Sequence, residues 1–209
     1  MNFRTIAYAA AACAAMASHA ARGDQLELAG QTVIVEAPPG YCAFDRNRPA
    51  EAARIEAQEK GQAEVNRLAL AFVDCQDLAK DRETGNYDFS KYGMILVPLQ
   101  SGQVRKAAGL SRQEYVQRVA KQFPAFDAAD AIETAKKRLT DTGVSVNGVR
   151  MLGVLAQDDT ALYFGIGLDG VGNTEQGTQH RVLGIVGLTL VNQVPISVNL
   201  YRVDAGDDA

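Results

Sequence analysis

The apolar positions of the chain fall into short runs separated by turn residues, and most of these runs have the length of β-strands. Glycine and proline mark the breaks: Ala29-Gly30-Gln31 joins a predicted first hairpin, and Pro38-Pro39-Gly40 ends it. The strands predicted in the first half are Leu26–Leu28, Thr32–Val35, Leu68–Val73 and Tyr92–Leu99, and Tyr41–Phe44 is predicted as an extended segment. Those predicted in the second half are Val149–Ala156, Thr160–Leu168, Arg181–Val191 and Val194–Val203.

Helix signals lie between these two groups of strands. Pro49 suits the first turn of a helix, with Asp45 or Asn47 as its cap. Ser111 and Glu114 have the spacing of a capping box, which predicts a second helix start. Polarity and spacing predict two further segments: a short helix or turn over Gln76–Thr84, and a helix from Asp127 or Asp130 to Gly143.

The order of these elements indicates the fold class. Strands and helices come in separate runs, and the chain closes with four consecutive strands. Such segregation is typical of an α+β domain, in which helices pack on an antiparallel sheet, and not of a doubly wound fold.

The first residues have the pattern of a secretory signal. Arg4 precedes an uncharged run over Ile6–Ala17, and Ser18-His19-Ala20 offers small residues at a cleavage site. We therefore divide the chain into a signal peptide over 1–20, a single domain over 21–203 and an acidic tail over 204–209, expected to be disordered. Cleavage near Ala20 predicts a periplasmic or secreted protein. Lipidation of Cys13 remains an alternative for the same segment.

Charge and hydropathy exclude some classes of partner. The net charge is −4 and the pI about 5.2, so no basic footprint points to nucleic acid. Loss of Arg4 with the signal lowers the basic residues from 21 to 20 against 25 acids, a net charge of −5. No second stretch of about 18 apolar residues predicts a membrane span in the mature chain.

Cysteine and histidine are too few for most catalytic sites. Of 3 Cys and 2 His, the mature chain keeps Cys42, Cys75 and His180. An even cysteine count in an exported protein favours a Cys42–Cys75 disulfide, with two free thiols as the alternative. We favour a protein that is not an enzyme and has no cofactor and no metal. The competing hypothesis is a hydrolase-type enzyme using Cys42, Cys75 or His180.

The polar, glycine-rich segment Asp169–His180 is predicted as a long loop between two strands. It lacks the lysine of a phosphate-binding loop and the spacing of an EF-hand. Long polar loops can act as binding loops. We predict a candidate binding loop through Asp169, Asn173, Glu175 and His180, with calcium as one ligand to test.

The layout resembles the α+β sandwich of the PsbP and Mog families, a fold also used by the envelope protein DcrB. The resemblance covers residues 25–203 and rests on the hairpin before Pro38-Pro39-Gly40-Tyr41-Cys42, the capped helix at Ser111 and the closing strands to Tyr201. The PPGYC and VDC segments are also similar to those of small secreted proteobacterial proteins that carry no assigned activity. The resemblance implies a fold and a compartment, and no site residues.

Together these patterns predict an exported envelope protein that acts as a binding or interaction module without catalysis. The expected contact surface is the sheet face of the closing strands, together with the loop Asp169–His180. Its partner would be an envelope protein or a small ligand.

Overall fold

A computed structural model describes residues 24–86, 88–123, 133, 136–137, 144–173 and 180–204. The predicted signal, the helix predicted from Asp127 or Asp130, Glu175 and the tail after Asp204 lie outside the described residues, apart from isolated positions in that helix. Within the described part, each predicted strand is present. Two short strands, Gln103–Val104 and Val144–Ser145, were missed by sequence reasoning.

The elements follow one another as strands, two helices among strands, a third helix and a closing run of strands. The strands are β1 (Asp24–Leu28), β2 (Gln31–Val35), β3 (Tyr41–Ala43), β4 (Asn66–Asp74), β5 (Lys91–Gln100), β6 (Gln103–Val104), β7 (Val144–Ser145), β8 (Gly148–Gln157), β9 (Ala161–Asn173), β10 (His180–Val191) and β11 (Val194–Asp204). The helices are α1 (Pro49–Gln62), α2 (Cys75–Thr84) and α3 (Arg112–Gln122).

The strands form a nine-stranded sheet and a separate two-stranded hairpin, β1–β2. The main path of the sheet is β3-β4-β5-β11-β10-β9-β7, with β8 also paired to β9 and β6 to β5. Neighbouring strands are antiparallel throughout, from the β3–β4 pair to the β8–β9 pair. The α+β class with an antiparallel sheet is therefore confirmed.

Each face of the sheet buries a different set of side chains. We call the two sides the hairpin face and the helix face. On the hairpin face, Leu28, Val33 and Val35 of the β1–β2 hairpin pack on Phe72, Ile95 and their neighbours in β4, β5 and β11. On the helix face, Ile55 of α1 packs on Leu68, Ala71, Met94 and Leu96, and α3 packs on β9 and β10.

The ends of two helices test the predicted caps. The capping box is confirmed: the hydroxyl of Ser111 accepts from the Glu114 amide at 3.2 Å, and the Glu114 carboxylate accepts from the Ser111 amide at 2.7 Å. The cap predicted for α1 is wrong. Arg48 occupies that position without a capping side-chain bond, because Asp45 closes the preceding turn by accepting from the amide of Asn47.

Sequence reasoning also placed the start of the loop Asp169–His180 too early. β9 continues to Asn173, where it pairs with Val144, and β10 begins at His180, which pairs with Val171. A left-handed glycine, Gly170 at φ 63°, lies within this part of β9. A Cβ there would lie 2.3 Å from the side-chain nitrogen of Asn147, so glycine is required by both conformation and space. Glycines of this kind look like loop residues in the sequence.

The predicted disulfide is present. Cys42 in β3 and Cys75 at the start of α2 are bonded, with their Cα atoms 4.9 Å apart. The bond fastens the edge strand β3 to the segment that follows β4, and Cys42 packs beside Val73, Leu78 and Phe89.

Two buried carboxylates hold α1 to α2. Glu51 is 2% exposed and Asp81 is 6% exposed. Arg82 donates to both oxygens of Glu51 at 2.8 and 3.0 Å, and Arg54 donates to both oxygens of Asp81. The amide of Asp45 also donates to Glu51, at 2.7 Å. Each buried carboxylate therefore accepts two hydrogen bonds from one arginine, and this bidentate pairing offsets its loss of hydration.

Burial by itself raises the pKa of Glu51, but the hydrogen bonds from Arg82 and from the Asp45 amide outweigh it and leave that pKa below its ordinary value of 4.5. A lowered pKa in the folded state means that ionised Glu51 stabilises the fold. This contribution is fully present above pH 4.5 and is lost as the pH falls through the lowered pKa.

We expect that replacing both bonded cysteines, Cys42→Ala with Cys75→Ala, lowers the free energy of unfolding by roughly 3–4 kcal/mol, because the unfolded chain regains the freedom of the closed loop. Urea unfolding with and without reductant measures this loss. Reductant should destabilise the wild type and leave the double variant unchanged. Equal effects on both proteins would contradict a stabilising disulfide.

We expect Glu51→Gln to lower the free energy of unfolding by about 2–3 kcal/mol near pH 7, because Arg82 then loses a charged partner in a largely buried site. The difference from wild type should shrink in acid, as Glu51 becomes protonated. Glu59→Gln is the control, since the Arg46–Glu59 pair is exposed and is worth less than about 1 kcal/mol. A loss of stability for Glu51→Gln that is no larger than for the control would contradict this assignment.

Candidate functional site

The hairpin face is covered over only part of its width. The β1–β2 hairpin packs over β4, β5 and β11, whereas the same face of β8, β9 and β10 carries exposed aliphatic side chains. We call these four residues the apolar patch: Leu152 is 47% exposed, Leu155 55%, Leu183 43% and Ile185 47%. Contiguous exposed apolar side chains of this kind mark interaction sites more often than single ones do.

Two β-bulges create the β8 half of the patch. Met151 and Gly153 pair with the adjacent residues Ile166 and Gly165 of β9, so Leu152 is an extra residue between them. Leu155 is likewise extra between Val154 and Ala156. Residues three apart in a regular strand point to opposite faces. The bulges rotate the strand locally, so that both leucines lie on the same face.

Two glycines of β9 form the floor beneath these leucines. A Cβ added to Gly165 would lie 3.0 Å from Cβ of Leu152 and 3.4 Å from Cδ1 of Leu155. A Cβ added to Gly167 would lie 3.8 Å from Cδ2 of Leu152. On the other side of β9, Ile185 pairs with Gly165 and Leu183 pairs with Gly167. The patch is therefore shallow. The leucines of β8 lie on one side of the two glycines of β9, and the aliphatic side chains of β10 lie on the other side.

Cationic side chains border one end of the patch on the same face. Arg202 lies opposite Leu183, and Lys91 lies opposite Arg202 in the next strand. Arg150 pairs with Gly167. Arg181 lies two residues before Leu183 in β10, so its side chain is on the same face as that of Leu183. These four cations, Lys91, Arg150, Arg181 and Arg202, form what we call the basic border.

Acidic side chains neutralise the basic border only in part. Asp169 accepts from Arg150 at 2.9 Å and from Arg181 at 3.2 Å, and Asp204 lies 3.9 Å from Arg181. The hydrogen bond from Arg150, followed by the contacts with Arg181, holds the pKa of Asp169 below its ordinary value. Arg202 makes no ion pair with another described residue. Asp74 also lies 3.5 Å from Lys91. Three carboxylates therefore face the four cations, and the border keeps an excess of one positive charge, at Arg202.

The side chains of two of the four residues of the predicted binding loop, Asp169 and His180, belong to the described structure. Asp169 lies in β9 and is engaged by two arginines at the border. His180 is the exposed first residue of β10. Asn173 ends β9, its side chain lies outside the described structure, and Glu175 lies there entirely. The grouping of the four residues therefore stays a prediction.

The expected contact surface, the sheet face of the closing strands, stays a prediction. The apolar patch lies on one of the two faces of these strands, and sequence reasoning missed the residues that form its β8 half. Its leucines were missed because alternation assigns Leu152 and Leu155 to opposite faces. The available signal was the recurrence of glycine at 165 and 167 opposite these leucines, together with Gly153 within the strand.

His180 lies far along the sheet from the two cysteines of the competing enzyme hypothesis. Cys42 and Cys75 are bonded to each other, so neither sulfur is a thiolate. His180 is in β10, separated from β3 in the sheet by β4, β5 and β11. Among the described residues, no cluster of three or more acidic, histidine or cysteine side chains has the arrangement of a metal site.

An open cleft of about 920 Å³ lies along the N-terminal half of β4. Its polar lining includes Asp24, Arg46, Glu59, Asn66 and Arg67, and Glu59 is paired with Arg46 at 2.6 Å. Among the described residues that line it there is no cysteine, histidine, serine or threonine. Its described lining therefore offers no Ser–His or Cys–His pair.

No helix within the described ranges is both long and apolar enough to cross a membrane. Comparison with known proteins adds no assignment: no protein-family model matches the chain, and neither a curated protein nor a solved structure matches it. The residues of the patch and its border therefore have to be interpreted from their own chemistry.

A calcium titration is expected to leave the melting temperature unchanged. A calcium ion at Asp169 would have to displace the guanidinium groups of Arg150 and Arg181 from the carboxylate that joins them. Differential scanning calorimetry with excess calcium and with chelator measures this directly. A calcium-dependent rise in melting temperature that Asp169→Asn abolishes would contradict the expectation.

Proposed function

We propose that the protein is an exported binding module, without catalysis, that docks a partner protein on the apolar patch. The observation that carries the proposal is the pair of bulges that turns Leu152 and Leu155 onto one open face. Each bulge interrupts the hydrogen-bond ladder between β8 and β9. Leucine side chains that remain exposed to water also contribute no hydrophobic stabilisation to the protein without its partner. Both features are understandable if another surface covers them.

The border indicates the chemistry of the partner. Arg202, which lies opposite Leu183, carries the excess positive charge, since Lys91 in the next strand is paired with Asp74. A complementary surface would present aliphatic side chains flanked by carboxylates, which steers association and fixes orientation. The four patch residues are aliphatic, and Tyr163, which lies beside them on the same face and pairs with Gly187, is half-buried. Peripheral membrane segments commonly insert exposed tryptophan or phenylalanine instead. A protein partner therefore fits the patch better than a lipid surface.

The proposed compartment is the periplasm or the exterior of the cell. The signal-like pattern over 1–20 supports export, and the Cys42–Cys75 disulfide is the kind of bond that persists in oxidising compartments. An envelope protein is the partner class that such a location offers. The PsbP/Mog-like assignment also remains a proposal, supported by the antiparallel sheet with helices packed on one face.

A photo-crosslinking amino acid in place of Leu183 is expected to form a discrete adduct in intact cells. Leu152→Ser with Leu155→Ser should abolish that adduct while changing the unfolding free energy by less than about 1 kcal/mol, because both side chains are exposed. The matched control places the crosslinker at Ile34, which is 65% exposed on the hairpin. Mass spectrometry of the adduct identifies the partner.

Three results would count against the proposal. The Leu183 adduct could be absent, it could form equally from Ile34, or it could persist in the leucine double variant. Flotation of the purified protein with anionic vesicles, prevented by the same double variant, would assign the patch to a lipid surface instead.

A further inference from the structure

The outer side of β4 is open along the first half of the strand. β3 pairs with β4 only over residues 72–74. Just past β3, the Phe44 amide still donates to the Ala71 carbonyl, at 3.1 Å, and the chain then leaves towards α1. No described strand pairs with the outer side of β4 over residues 66–70. This stretch is therefore a strand edge within the sheet.

The bonds on the inner side of β4 show which backbone groups point out of this edge. The Leu99 amide donates to the Val65 carbonyl at 2.7 Å. Val65 therefore faces β5, and by alternation Leu68 faces the outer side. A one-residue bulge at Ala69 shifts the alternation, so that Ala71 also faces outward, to β3. The amide and carbonyl of Leu68 have no hydrogen-bond partner among the described residues, although Leu68 is buried. Buried backbone groups are nearly always hydrogen-bonded, so this position favours an added strand.

Two clefts, of about 920 and about 240 Å³, run along the same edge. Both have Leu68 and Ala69 in their lining, so they are contiguous. The β1–β2 hairpin supplies one wall, through Leu26, and α1 supplies the other, through Ile55 and Glu59. The edge of β4 therefore lies between two layers of the fold. We call the two clefts together the edge slot.

The chain itself bounds the edge slot at both ends. At one end Phe44 and Asn47 line it, where the chain leaves β3. At the other end it is lined by Leu99 and Gln103, on either side of the β5–β6 turn. The unpaired stretch between these ends matches an extended segment of about five residues, roughly 17 Å long. A longer segment would have to bend away from the sheet at each end.

The two ends of the edge slot carry opposite charges. Asp24 lines both clefts and so reaches the Phe44 end, whereas Arg67 lines only the larger cleft, at the Leu99 end. Neither makes an ion pair with another described residue, and Arg67 donates only to the Glu27 carbonyl, at 3.4 Å. The other charged side chains of the lining have partners: Arg46 with Glu59 at 2.6 Å, and Asp45 with Arg48 at 3.8 Å.

Strand direction and charge agree with each other. β3 is antiparallel to β4, so a segment that continues its line past Ala71 begins near Asp24 and ends near Arg67. Its free amino group then lies beside a carboxylate, and its free carboxylate lies beside a guanidinium. A parallel segment would bring like charges together at both ends.

We propose that the edge slot binds a short peptide with free amino and carboxyl termini, which extends antiparallel to β4 and pairs with its outer edge. Main-chain hydrogen bonds supply the affinity in such strand addition, so peptides of varied sequence fit. The inference goes beyond the proposed function, because β5 and β11 separate the slot from the strands of the apolar patch.

The probe is the peptide Ala-Val-Ala-Val-Ala, titrated into the isotope-labelled full chain at about pH 6.5, where its amino group is charged. The amide signal of Leu68 should shift, because an added strand bonds to that amide. Acetylating the amino group and amidating the carboxylate should each weaken binding at least about fivefold, because each removes a charge beside an opposite one.

Two variants test the two ends separately. Arg67→Gln should bind the free and the amidated peptide within about twofold of each other and keep the preference for a free amino group. Asp24→Asn should lose the preference for the amino group and keep the one for the carboxylate. Lys80→Gln and Glu83→Gln make the same changes of charge on α2 and should keep both preferences. All four side chains are exposed, so the melting temperatures should stay close to wild type.

N-methylation tests the main-chain pairing independently of charge. In an antiparallel pair, alternate amides of the added strand face β4 and the others face away from it. Two probes are compared, one methylated on the nitrogen of the third residue and one on that of the fourth. One should bind within about threefold of the parent peptide and the other at least about tenfold more weakly.

Four results would overturn the proposal. They are no shift of the Leu68 signal at about 10 mM peptide, a doubly blocked peptide that binds as tightly as the free one, variants at Asp24 and Arg67 that keep both preferences, and N-methyl isomers that bind equally. None of them bears on the Leu183 adduct, so failure of the edge slot and failure of the proposed function are distinguishable.

Discussion

The pairing of β5 with β11 joins the first half of the chain to the last, and the rest of the fold depends on it. Lys91 to Leu96 pair with Arg202 to Ser197, across about a hundred residues of intervening chain. Gly93 makes this close approach possible. A Cβ at Gly93 would lie 2.4 Å from the carbonyl oxygen of Asn199 and 2.5 Å from the ring of Phe72, which fills the space and is fully buried. Any larger residue would force the strand pair or the ring apart.

The width of the resulting sheet explains where its surface is open. The β1–β2 hairpin has only two strands, so it covers the hairpin face over β4, β5 and β11 and leaves β8 to β10 bare. On the helix face, α1 and α3 pack over the two halves separately. The hairpin face over β8 to β10 is therefore exposed because the two-stranded hairpin is too narrow to cover it. The bulges of β8 place the leucine side chains on this exposed area.

Much of the fold was predictable because its signals are local. Alternating apolar residues mark strands, and the Ser111–Glu114 spacing marks a helix start, since each depends on a few neighbouring residues. The α1 cap and the Asp169–His180 loop were predicted wrongly for different reasons. Asp45 accepts from the amide of Asn47 in the turn before α1 and so does not cap the helix, whereas β9 continues because the distant strands β7 and β10 pair with it.

By itself the sequence determined the α+β class with an antiparallel sheet and the pairing of Cys42 with Cys75. These follow from composition and periodicity, which belong to the sequence alone. Only the tertiary structure decided which face stays open and that Leu152 and Leu155 share it. A bulge exists only relative to its partner strand, so no reading of β8 alone places its leucines over Gly165.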